Sequence, residues 1–167
     1  MSSANSQQPR MMMYSQDGLG LGHMRRTTSI ANQIVRARSD AAILTMADSR
    51  LGQFFESSAN HDYLKLPSIV KAGPGDWRAV SLPLSFEAVS TMRRELIRSA
   101  VLSYQPHVLL VDHMPHGAMG ELLPTLELAA SPGTFDTLSI DRLLSHRSGL
   151  FDYTPWSEAP DDAELQL

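Results

Sequence analysis

His23, Asp112, His113 and Glu121 are side chains of types suited to proton transfer, and Arg25 and Arg26 are cations placed just after the first of them. An imidazole titrates near neutrality, and when a carboxylate holds it in place it can act as a general base toward a hydroxyl. Paired arginines suit a planar, bidentate grip on phosphate or carboxylate. His23 closes the run Asp17-Gly-Leu-Gly-Leu-Gly-His23, so Gly18, Gly20 and Gly22 immediately precede it. Glycines there permit positive φ and close approach of backbone to a ligand. The candidate catalytic residues are therefore His23, Asp112 and Glu121, and the candidate substrate-binding residues are Gly18, Gly20, Gly22, Arg25, Arg26 and His113. Ordinary structural roles explain the same residues: a tight turn, a solvated arginine pair, a satisfied strand-end Asp and a capping Glu.

The elements that must position these groups follow from apolar spacing. Met11 to Ser15 is a short apolar run suited to a buried parallel strand. From His23 the pattern turns helical, with Thr27, Ile30, Ala31, Ile34 and Val35 at spacings of three and four, and Arg36 and Arg38 near the C-terminus. Ala41 to Met46 predicts a second strand, followed by Asp48 or Ser49 capping a short helix through Phe54-Phe55. Tyr63 to Val70 predicts one strand broken by Pro67, leading into a long exposed loop at Gly73-Pro-Gly-Asp76. Phe86, Val89, Met92, Leu96, Ala100 and Val101 form a helical stripe with Arg93, Arg94, Glu95 and Arg98 on the opposite face, and Gln105-Pro106 ends it. Val108 to Val111 predicts a further strand, and Gly120 to Ala130 a helix around Pro124. Strand alternating with helix predicts an α/β fold, a Rossmann-like doubly wound parallel sheet. Ligands bind such sheets beyond the carboxyl ends of the strands, where His23, Asp112, His113 and Glu121 would meet.

Composition narrows the classes. The chain has 167 residues, 43% of them hydrophobic and 19% charged, which suits a single domain. Residues 1–10 read as a disordered polar leader, residues 11–130 as the Rossmann-like domain and residues 131–167 as a weakly structured tail. A formal charge of -4 argues against a nucleic-acid surface. Of the fourteen cations, all but Lys65 and Lys71 are arginines. Zero cysteines exclude disulfides and thiolate chemistry on this chain. His113 and His116 are too sparsely accompanied to hold a metal, and no metal is expected. The start lacks the features of a signal peptide, and no apolar run is long enough for a membrane span, so a cytoplasmic location is expected, with peripheral membrane contact left open.

Three ordered blocks carry a family resemblance: Tyr14-Ser-Gln-Asp-Gly-Leu-Gly-Leu-Gly-His-Met-Arg-Arg26, then Leu64-Lys-Leu-Pro-Ser-Ile-Val-Lys71, then Pro106-His-Val-Leu-Leu-Val-Asp-His-Met-Pro115 with Gly120-Glu-Leu-Leu-Pro124. Over roughly Arg10 to Ala130 the chain resembles the N-terminal half of predicted bacterial-type glycosyltransferases. It is similar more distantly to lipid-linked-sugar transferases that have a glycine-rich first loop and a two-domain GT-B fold. The resemblance implies sugar transfer from a nucleotide-sugar donor to an acceptor in the cleft without a metal or other cofactor. This half would supply the acceptor side, with His23 near the transferring sugar as a positioning residue or base. It further implies a truncated or split enzyme, inactive alone, that a separate donor-binding domain or subunit would complete. A non-catalytic docking subunit of such an enzyme is the alternative.

The tail carries a second, shorter likeness. Leu138-Ser-Ile-Asp-Arg-Leu-Leu-Ser-His-Arg-Ser-Gly-Leu-Phe-Asp-Tyr153 is similar to a segment of serine β-lactamase-like hydrolases, and Ser68-Ile-Val-Lys71 satisfies their S-x-x-K spacing. The S-x-x-K lies inside a glycosyltransferase-like block and not at a helix start, and the later hydrolase motifs are absent. A chance match and a foreign tail are the expectation, and a hydrolase fragment is the least favoured reading.

Overall fold

A computed structural model describes residues 8–16, 21–52, 58–73 and 75–129. Its elements are β1 (Arg10–Ser15), α1 (Gly22–Ala37), β2 (Ala42–Ala47), β3 (His61–Lys65), β4 (Ile69–Gly73), β5 (Asp76–Ala79), α2 (Phe86–Tyr104), β6 (Val108–Asp112) and α3 (Leu123–Ala129). A 3-10 turn at Ala118–Gly120 precedes α3. Four strands form a parallel sheet in the order β3-β2-β1-β6, and β4 pairs with β5 as an antiparallel hairpin. The predicted Rossmann-like parallel sheet is therefore present. The predicted tail (131–167), most of the polar leader and Phe54-Phe55 lie outside the described residues.

The sheet's two faces explain why β1 is almost wholly apolar. A central parallel strand is covered on both sides, so alternate residues feed two different cores. Met13 packs with Ile43 beneath Ala31, Ile30, Ile34 and Val35 of α1. Met12 and Tyr14 pack on the other side with Met46, Leu109, Ile97, Val101 and Leu122. Fully burying one such side chain contributes about 1.5–3 kcal/mol, so three successive methionines anchor the sheet from both sides. The hairpin adds a third cluster, in which Ile69 packs with Val89 and Ala118 against Trp77 and Phe86.

Two local predictions differ from the structure. The stretch read as one strand and a long loop is two strands and a tight hairpin; Gly75, at φ +72, makes the reversal that an L side chain resists. The buried stripe of α2 is Val89, Ser90, Arg93, Ile97 and Val101, while Met92 and Leu96 face outward. An arginine thus occupies a core position assigned to the polar face, for a reason set by its partners below. The ends of α2 follow expectation: Ser85 caps it by accepting from the Ala88 N–H, worth about 1 kcal/mol. Gln105 closes it in the left-handed region at φ 50, just before Pro106. Among the described residues no helix is long and apolar enough to cross a membrane.

Candidate functional site

Strand order reverses between β1 and β6: from β1 the chain moves outward to β2 and β3, then returns to β6 on the other side. Such a switch point leaves a crevice at the carboxyl ends of the two strands, because their connections depart in opposite directions. Ser15 of β1 and Asp112 of β6 are register partners at this end, and α1 begins directly above it.

Asp112 is 7% exposed and serves two partners. Its Oδ2 lies 2.9 Å from His23 Nδ1, and its Oδ1 accepts from Arg26 Nη1 at 2.7 Å. A carboxylate beside Nδ1 favours the tautomer with the proton on that nitrogen, leaving the Nε2 lone pair outward. His23 is 30% exposed, so a substrate can reach the ring. The His113 ring stacks on it with centroids 5.2 Å apart and planes 28° apart. His113 holds a φ of 75°, an unfavourable conformation for a side-chain-bearing residue, at the point where β6 ends.

Among the described residues no side chain caps the start of α1, and its first turn holds no acidic residue. A Cβ at Gly22 would meet nothing within 4 Å among the described residues. Arg25 is exposed, and its guanidinium has no partner among the described residues. The N–H groups and positive end of a helix start favour an anion. Gly18 and Gly20 lie outside the described residues.

Glu121 is not part of this cluster, which corrects the expectation that it meets His23. It is 1% exposed on the α2 side, where both oxygens are occupied. Arg93 Nη2 donates to Oε1 at 2.6 Å and Nε to Oε2 at 2.7 Å, and the Tyr14 hydroxyl also donates to Oε1. Arg93, itself 0% exposed, further donates to Gln16 Oε1, Pro67 O and Asp48 Oδ2. Asp48 Oδ2 also accepts from Gln16 Nε2 at 2.7 Å and the Ile69 N–H at 3.3 Å. Burial opposes the charge on Arg93, but hydrogen bonding and Coulombic attraction from Glu121 outweigh it and raise its pKa. Burial, with the Glu121 charge adding to it, raises the Tyr14 pKa. Desolvated charges are tolerable only when paired and fully hydrogen-bonded, a condition this network meets.

Sequence reasoning missed Tyr14, Gln16, Asp48 and Arg93 as one unit, because no local spacing links residues this far apart in the chain. The available signal was Arg93 itself, spaced i+4 from Val89 and i−4 from Ile97 along the buried stripe. The Ser68-x-x-Lys71 pairing is not made. The Ser68 hydroxyl donates to Asp48 O and accepts from Lys65, and Lys71 is exposed on β4. Among the described residues no group of three His, Asp or Glu side chains could hold a metal ion.

No family model and no curated protein matches the chain. Among solved structures it is similar to a UGT transferase from Siraitia grosvenorii in complex with UDP, at 18% identity and a TM-score of 0.43. That similarity covers 72% of this chain, which spans about a quarter (25%) of the other's length.

Proposed function

We propose that this chain is the acceptor-side part of a glycosyltransferase, with His23 as the base that deprotonates the acceptor hydroxyl. The observation that carries this reading is the 2.9 Å contact between His23 Nδ1 and Asp112 Oδ2 at the β1/β6 switch point. The resemblance of the three sequence blocks to nucleotide-sugar transferases supplies the reaction class. His23 Nε2 removes the hydroxyl proton as the acceptor oxygen bonds to the anomeric carbon. The bond from that carbon to the nucleoside diphosphate breaks, and the diphosphate leaves with the electron pair. Asp112 stabilises the imidazolium until its proton passes to water. Arg25 and the start of α1 are assigned to the developing negative charge, while Arg26, bonded to Asp112, is a positioning residue. Glu121 is assigned to holding Arg93, not to proton transfer.

A purely docking role would favour an apolar patch along residues 122–126, yet Leu122 and Thr125 are buried and Leu123 is the exposed large apolar residue of that stretch. The deciding assay measures nucleotide-sugar hydrolysis and transfer by the chain alone and with a separately supplied donor-binding domain. Activity is expected only in the mixture, and His23→Ala should abolish it. Robust activity of the chain alone would overturn the half-enzyme reading, and a mixture indifferent to His23→Ala would overturn the site.

A further inference from the structure

A concavity lies across α1 from the His23–Asp112 pair. It occupies about 400 Å³ over β2 and β3, within the ~300–1,000 Å³ range of small-molecule pockets. The first turns of α1 separate the two places: His23 and Arg26 reach Asp112, whereas Met24 and Thr28 line the cleft. The strands agree, since Asp112 ends β6 at one edge of the sheet and the cleft follows β3 at the other.

β3, the edge strand of the sheet, is only half buried and turns polar side chains toward the cleft. Buried parallel strands are near-continuous apolar runs, and on this face β1 presents Met11 and Met13 and β2 presents Ile43 to α1. The β3 positions that register with Ile43, Thr45 and Ala47 are His61, Tyr63 and Lys65. His61 Nε2 is 2.8 Å from Thr45 Oγ1, while His61 Nδ1 is buried with no hydrogen-bond partner. The Tyr63 hydroxyl bonds to Ala47 O and Ser49 O, fixing the ring as a wall. Gly52 packs against that ring so closely that a Cβ would lie 2.6 Å from the hydroxyl. Burial holds the His61 pKa down, so its ring contributes no charge at neutral pH.

Charge and unused donors define the occupant. Lys65 donates two hydrogen bonds, to Leu66 O and Ser68 Oγ, out of the three an ammonium offers. Arg50 gives one N–H to Ser81 Oγ, leaving most of its fork available. With Asp62 as the lining carboxylate, the cleft carries one net positive charge. We propose that it binds a small polyhydroxylated anion, with Lys65 and Arg50 on the anionic group and Thr28 and Ser49 on hydroxyls. A sugar phosphate and a sugar carboxylate share this chemistry. The proposal stands apart from the sugar-transfer reading and survives its failure.

The test is a backbone-amide NMR titration of the full chain with glucose 6-phosphate, glucuronate, inorganic phosphate and neutral glucose. Saturable shifts at Gly52 and Lys65 with one of the two sugar anions, and none with glucose, are expected; whichever binds tighter identifies phosphate or carboxylate as the anionic group. Losing one charge-assisted contact should weaken binding about tenfold, in Lys65→Gln and in Arg50→Gln. Lys65→Gln also disturbs Leu66 and Ser68, so the exposed Arg50 is the deciding position. His23→Ala should leave the affinity unchanged. The proposal fails if neither sugar anion saturates by about 10 mM, if inorganic phosphate binds as tightly as both, if Arg50→Gln binds like the parent, or if His23→Ala abolishes the shifts.

Discussion

Two clusters of charge sit on opposite faces of the same sheet, and they differ less in composition than in how completely each is used. On the α2 side Arg93 is sealed from water, and its guanidinium and both Glu121 oxygens are committed to protein partners. On the α1 side Asp112 is similarly buried, but its partners His23 and Arg26 reach solvent and keep unspent nitrogens. Closed networks fix geometry; incomplete ones at a strand-end crevice are available to a substrate. The same reasoning separates Glu121 from Asp112, two carboxylates that the sequence presents alike.

Breaking the closed cluster should have the largest effect. Arg93→Leu strands two buried carboxylates and should cost about 3–5 kcal/mol, read as loss of the cooperative urea transition. Retention of a parental midpoint would show that the cluster is not structural. Next in size is a change at the open cluster that spares the fold. Asp112→Asn should lower transfer by the completed enzyme about 10²–10⁴-fold, with a melting temperature near the parent's. Equal losses of stability in Arg93→Leu and Asp112→Asn would erase the distinction.

A pH series sharpens it further. Because the Tyr14 pKa is raised on folding, the unfolded chain releases that proton first. Its contribution is therefore complete below the ordinary tyrosine value of about 10 and is lost as pH rises above it. Urea midpoints at pH 8 and 10.5 should fall for the parent and fall less for Tyr14→Phe. The smallest effect is expected at His113→Gly, where relief of the positive φ offsets loss of the stack on His23. Its stability should stay within about 1 kcal/mol of the parent, measured by thermal unfolding.

What the sequence disclosed follows from which forces are local. The ladder strands β1, β2 and β6 and both long helices were legible because burial of one face leaves a period that neighbouring residues share. The β4–β5 hairpin was not, because Pro67 and the Gly-Pro-Gly reversal resemble punctuation of a loop, while pairing depends on Ile69 finding Ala79. The juxtaposition of His23, Asp112 and His113 was legible because topology places strand ends and helix starts together. Glu121 was misplaced since its partner, Arg93, lies 28 residues earlier on a helix whose apolar pattern was read one position out of phase. A charged residue in a stripe gives no sign of burial unless its counter-ion is known.

The Arg93 cluster also constrains the order of assembly. It gathers Gln16, Asp48 and Glu121 around one side chain, and the Tyr14–Glu121 bond closes over 107 residues. Contacts of such separation form only after the intervening elements have docked. The guanidinium therefore locks a sheet already in place, and weakening it should hasten unfolding far more than it delays folding. Until β6 emerges during synthesis, β1, with its three methionines, has β2 on one edge and an unpaired edge on the other. For that interval the central strand is an exposed apolar edge, and the risk of misassembly is greatest before β6 arrives.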